Sequence, residues 1–109
     1  MALTTNTQAS SAGIVNHKTG YVVSDAGAAA AATFTLGFIP RIVRFHNVTD
    51  RISDEWLTGM AAASSIHTVA AGTRTLETTN GITVGTDGTF TVTATTMVAS
   101  KTFVWEAIG

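Results

Sequence analysis

Threonine alternates with apolar residues in two separate runs, and no other feature constrains this chain as tightly. Thr33 and Thr35 interleave with Phe34, Leu36 and Phe38, and Thr89, Thr91 and Thr93 interleave with Phe90, Val92 and Ala94. Successive side chains of a strand point to opposite faces, so each run reads as a strand with a buried apolar face and a threonine-lined outer face. Threonine is β-branched and suits a pleated, half-exposed position.

Further strands are expected over Ile14 to Val23, Arg41 to Val48, Ser65 to Ala70, Ile82 to Val84 and Lys101 to Ile108. Turn signals separate them at Asp25-Ala-Gly27, Gly37-Phe-Ile-Pro40, Asn47-Val-Thr-Asp50, Ala71-Gly72, Asn80-Gly81 and Asp87-Gly88. Asn-Gly and Asp-Gly supply the positive φ angles that tight hairpins need. The sole proline, Pro40, stands where a strand begins and a missing N–H is tolerated. Five alanines, 28 to 32, have helix propensity but are too few for a helix, and read as a loop or the start of the Phe34 strand. Ser53 could cap a helix carrying Asp54 and Glu55 in its first turn. Gly59 and the turn-like Asp50-Arg51 favour instead a strand over Ile52 to Thr58, followed by an alanine-rich loop. Many short strands with frequent turns predict an all-β fold, a β-sandwich or jelly roll.

The length, 109 residues, fits one domain. Residues 1–13 are small, polar and aperiodic, and predict a flexible N-terminal arm ahead of a single domain over 14–109. They lack the basic start and apolar centre of a secretory signal, and no apolar run reaches the roughly 18–20 residues needed to span a bilayer. Charged residues make up only 12% of the chain, about half the usual share. Depletion of charge marks the centres of protein interfaces, so part of the surface is expected to be covered by partner subunits. Six basic residues against seven acidic ones give a net charge of −1, which removes the basic face that nucleic acid or an anionic membrane would need. Without cysteine there is no disulfide framework and no thiolate zinc site.

The search for chemistry yields weak candidates. His17, His46 and His67 share no metal-ligand spacing and would have to converge from three strands. Asp50, Asp54 and Glu55 could suggest paired carboxylates for hydrolysis. Arg41, Arg44 and Arg51 nearby make charge pairing, on an exposed turn or at a subunit contact, the simpler reading. Ser64-Ser65 with His67 lacks the glycines of a nucleophile elbow, and the glycines match no phosphate or dinucleotide loop. Trp56 and Trp105 read as core or interface anchors. No enzyme activity and no cofactor is expected.

The stretch Gly37-Phe-Ile-Pro-Arg-Ile-Val-Arg-Phe-His-Asn-Val-Thr-Asp-Arg-Ile-Ser-Asp-Glu-Trp-Leu-Thr-Gly-Met60 carries the remaining signal. It resembles small structural proteins of tailed bacteriophages and prophages. These have a glycine, an aromatic, a proline and a basic residue, then a hydrophobic strand, Asn-x-Thr-Asp-Arg, and an aromatic before Gly-Met. Thr68 to Thr75 and Phe103 to Ala107 also look like that group, so the resemblance covers residues 33 to 107. It implies a virion component with a β-sandwich or jelly-roll body, and transfers no catalytic residue. With the small size, low charge and arm, the leading expectation is a capsid decoration (cement) protein. It would form a trimer or dimer and bind the phage major capsid protein. Candidate contacts are Leu3 in the arm, the Arg51, Asp54 and Glu55 turn, and Trp56. The alternative is a tail, baseplate or head-fibre component acting as an adhesion or receptor-binding module.

Overall fold

A computed structural model describes residues 16–109; the arm predicted over 1–13 and the first residues of the strand predicted from Ile14 lie outside the described residues. Eight strands follow in chain order: β1 (His17–Val23), β2 (Ala32–Thr35), β3 (Ile42–Asn47), β4 (Ile52–Leu57), β5 (Ser64–Thr68), β6 (Arg74–Val84), β7 (Thr89–Val92) and β8 (Thr102–Ile108). They form one antiparallel sheet in the order β1-β8-β3-β4-β5-β6-β7-β2. The fold is all-β and sandwich-like, but its two layers are parts of a single sheet curled on itself.

The curl is made in β6. This strand has eleven residues, far more than the Ile82–Val84 expected from sequence. Its first half pairs with β5, with Ser65 opposite Glu77 and Thr68 opposite Arg74, and its last residues pair with β7. Between the two halves the register jumps, so that Ser64 stands opposite Ile82. The Asn80-Gly81 pair, expected to be a hairpin turn, is the bend at this irregularity. A Cβ on Gly81 would overlap the backbone of Ser64, and Gly81 donates its N–H to Ala63 O at 2.9 Å. Glycine is required here by close backbone approach.

The other expected turns connect strands. Gly72 and Gly88 take φ of 90° and 81° in the loops after β5 and β6. Residues 24–31 link β1 to β2, and the alanine run enters β2 at Ala32. The segment that could have capped a helix is strand β4, and the described residues contain no helix. There Asp54 and Trp56 are buried while Ser53 and Glu55 are only partly so, an alternation with a period of two.

The core lies between the curled layers. Phe34 of β2 and Phe90 of β7 stack at 5.0 Å, and both meet Trp105 of β8, at 5.6 and 5.1 Å. Phe45 of β3 closes the group at 6.4 Å from Phe90 and 5.4 Å from Phe103. Edge-to-face and offset rings at these separations suit the aromatic quadrupole. Val43, Val92 and Ala107 are also fully enclosed, and Leu36, Ile82 and Met97 complete the cluster. The threonine alternation holds within β2 and β7, with Thr33 and Thr91 outside and joined by their hydroxyls at 2.9 Å, whereas Thr93, expected outside, lies past the end of β7 with its hydroxyl oxygen buried. Ala94 departs from it: β7 ends at Val92, and Ala94 is exposed in the turn that follows.

Candidate functional site

The pairing of β3 with β4 decides where the predicted contact residues go. Val43 faces Trp56, Arg44 faces Glu55 and Phe45 faces Asp54. Side chains alternate between faces, so Asp54 and Trp56 join Val43 and Phe45 inside, while Glu55 lies outside with Arg44. Asp54 is 4% exposed and Trp56 9%. Trp56 is a core residue whose indole N–H donates to Ala61 O at 3.3 Å. Arg51 is exposed in the β3–β4 turn, at φ 59°. The predicted cluster is therefore split between two surfaces and the interior, and Leu3 lies outside the described residues.

The outer surface is built by register across four strands. Thr19, Glu106, Arg44 and Glu55 form one row across β1, β8, β3 and β4. Arg44 donates through Nε to Glu55 at 3.1 Å and through a terminal nitrogen to Glu106 at 2.9 Å. The second Glu106 oxygen lies 3.0 Å from His17 Nε2. The bonds from His17 first, and Arg44 second, hold the Glu106 carboxyl below its usual range. The two carboxylates, Glu106 foremost, raise the Arg44 guanidinium. Apolar side chains flank this ladder. Half-buried Ile42 and Ile108 lie on one side with Leu57, and half-buried Val104 lies on the other with the exposed Tyr21. Val23 and Leu76 extend the exposed apolar positions at 61% and 65%.

Both ends of the sheet are open among the described residues: β1 pairs only with β8, and β2 only with β7. Asn16 O accepts from Gly109 N and Ser24 N donates to Lys101 O, the residues that flank β8, so the even positions of β1 face β8. His17, Thr19, Tyr21 and Val23 then turn their backbone groups to the free edge. The Lys18 ammonium spans from β1 to Thr35 O of β2 at 2.9 Å.

A second feature lies within the curl, where the turn carrying Thr95 to Val98 faces β4, β5 and β6. It is a cavity of about 270 Å³. Asp50, Asp54 and Glu77 line it with His67, over a floor of Phe45, Ile52 and Val98. Asp50 is held by Lys101 at 3.0 Å and by Asn47, and these bonds, Lys101 first, keep its carboxyl low. Asp54 Oδ1 accepts from Ser65 Oγ at 2.7 Å and from His67 Nδ1 at 2.9 Å. Glu77 accepts the amides of Thr78 and Thr79, which lower its carboxyl. The Ser65–Asp54–His67 contact was not read from the sequence, although Ser65 and His67 are two apart on one strand face. It does not have the order of a hydroxyl nucleophile, in which imidazole stands between hydroxyl and carboxylate. Among the described residues no three His, Asp or Glu groups converge as metal ligands. The three histidines stand apart on β1, β3 and β5.

No family model, curated protein or solved structure matches the chain.

Proposed function

We propose that the chain is a non-enzymatic structural protein of a bacteriophage virion, a decoration protein that binds the outside of the head. One observation carries the reading: the outer face of β1, β8, β3 and β4 presents Tyr21, Val104, Ile42, Ile108 and Leu57 around an ordered ion-pair ladder. Aliphatic and aromatic side chains around internally paired charges suit a surface that docks on another protein, since paired charges lose less on desolvation than lone ones. The low charge fraction and the resemblance over residues 33 to 107 agree with that use. The mechanism is adhesive. Apolar area leaves water at about 25 cal/mol per Å², less the ordering cost of association, and repetition over a symmetric shell multiplies modest contacts. The partners are further copies of the chain, as a dimer or trimer, and the major capsid protein.

Cryo-electron microscopy of particles that contain the chain tests this. Density for the β fold on the capsid exterior, with the Tyr21 and Val104 face against capsid or sister subunits, is the expected result. Density on the tail alone refutes the decoration reading and leaves the tail, baseplate or head-fibre adhesion module in its place.

A further inference from the structure

We infer that β1 is the edge through which two copies of the chain join: the free sides of two His17–Val23 strands pair antiparallel, and two sheets become one. This deepens the reading of the outer face as a docking surface, on which it rests, by naming a second copy as the partner at one end of that face and giving the register.

The free side of β1 is open to pairing. His17, Thr19, Tyr21 and Val23 turn their N–H and C=O groups away from β8. The strand has no proline, and its register with β8 runs unbroken over seven residues. Monomeric proteins blunt such edges with short strands, proline, bulges or an inward-pointing charge. Lys18 is a charge of that kind, but its ammonium is drawn aside to Thr35 O at 2.9 Å. The opposite end of the sheet is less available. There β2 has four residues, and the same lysine occupies the Thr35 carbonyl on its free side.

Antiparallel pairing about a two-fold axis is self-complementary, because each strand offers the same donors and acceptors in reverse order. One register uses all four free residues. With the axis at Gly20, Thr19 stands opposite Tyr21 of the second copy and His17 opposite its Val23, and about eight hydrogen bonds form. Moving the axis to Thr19 or to Tyr21 carries Val23 or His17 past the end of the other strand and loses about two of them.

The side chains suit that register. Tyr21 and Val23 project from the outer face with 72% and 61% of their surfaces exposed. The two Tyr21 rings become diagonal neighbours across the axis, a separation that aromatic side chains bridge. Beside Thr19 the outer face has an open depression of about 620 Å³, lined by Thr19, Tyr21, His46, Val104 and Glu106. Tyr21 of the second copy, opposite Thr19, stands at its rim, so each copy offers both the projecting ring and the hollow. No like charges meet. Glu106 is held by Arg44 and His17 of its own chain, and Lys18 stands opposite Val22 of the second copy. Two tyrosines, at about 150–250 Å² each, and the strands around them bring the contact to on the order of 1,000 Å². That is a small interface. The dissociation constant is therefore on the order of 100 μM, and repetition in an assembly strengthens it.

Sedimentation velocity of the full chain from about 10 μM to about 1 mM, with NMR on a mixture of isotope-labelled and unlabelled chains, tests the pairing. The expected result is a concentration-dependent dimer in which the Thr19 and Tyr21 amide protons show intermolecular contacts. Thr19→Pro removes an N–H that the monomer does not use and should weaken the dimer at least about tenfold. Tyr21→Lys, at an exposed position, should do the same by bringing two like charges together across the axis, and it decides the question if the proline variant does not fold. Leu76→Ala, exposed on β6, should leave the dimer unchanged. A chain that is monomeric throughout overturns the inference, as do a trimer, a dimer that both folded variants retain, or contacts to β1 from residues 1–15 instead of from a second β1. None of these results bears on where the chain sits in a particle, and density on the tail alone would refute the decoration reading while leaving the β1 pairing intact.

Discussion

Truncating Phe90 is the sharpest test of a core made by one sheet folding over itself. The ring has no exposure and touches Phe34, Trp105 and Phe45 at 5.0, 5.1 and 6.4 Å. Phe90→Ala removes the transfer free energy of the ring and leaves a cavity, about 3–5 kcal/mol for a buried aromatic. Three aromatic neighbours on three strands cannot all move inward, so the upper half of that range applies. For a domain of this size 1 kcal/mol is worth about 5 °C, which puts the loss at about 20–25 °C in Tm. Urea unfolding followed by tryptophan fluorescence measures it, since Trp105 abuts the site. The milder pair Phe90→Leu and Phe45→Leu then forms a double-mutant cycle across the two layers. Its coupling should be about 0.5–1.5 kcal/mol. Additivity within experimental error, or a Phe90→Ala cost below about 1.5 kcal/mol, would refute the packing of β7 over β3.

Other perturbations probe the bend, the ladder and the turn. Gly81→Ala drives a methyl group into the Ser64 backbone and should cost about 1–3 kcal/mol in thermal or urea unfolding, whereas a neutral result would remove the bend in β6. The depressed carboxyls of Glu106 and Asp50 stabilise the folded state above their unfolded values, near 4.5 and 3.8, and that contribution is lost as pH falls through the lower folded values. Stability measured from pH 7 to pH 2 should therefore be level down to about pH 5 and decline below it, and Glu106→Gln should lessen the decline while costing at most about 1 kcal/mol at neutral pH, as a half-exposed pair does. Arg51→Gly relieves a left-handed backbone in the β3–β4 turn and should raise the urea midpoint slightly; a lower midpoint would mean that the side chain holds the turn.

The fold was legible where a single period governs. Thr33 to Leu36 and Thr89 to Val92 alternate without interruption, and Val43-Arg-Phe-His-Asn47 in β3 does the same. Local signals misled at Asn80-Gly81, where a dipeptide suited to a hairpin serves a bend inside a long strand. What distinguishes the two is the close approach of the Ser64 backbone to Gly81, a tertiary contact seventeen residues away that no local pattern contains. The contact residues were misplaced for a similar reason. Asp54 and Glu55 are neighbours in sequence and look alike as carboxylates, but a strand sends them to opposite faces. Polar character hid the burial of Asp54, because its partners Ser65 and His67 come from the next strand. The outer ladder of His17, Glu106, Arg44 and Glu55 joins residues up to 89 positions apart and can be read only once the register is known.

The position of β8 gives this fold a timetable. It is the last of the eight strands to be made, yet it lies between β1 and β3. The hairpins from β3 to β7 can pair as they emerge, at about 5–20 residues per second. β1 cannot: until residues 102–108 arrive it has no neighbour, and its pairing with β8 closes a loop of most of the chain. Such long-range closure is the slow step of β folds, on the order of milliseconds to seconds. During that interval β1 and the β8-facing edge of β3 are both unsatisfied, so a nascent chain offers other chains two strand edges that the finished protein joins through a third strand.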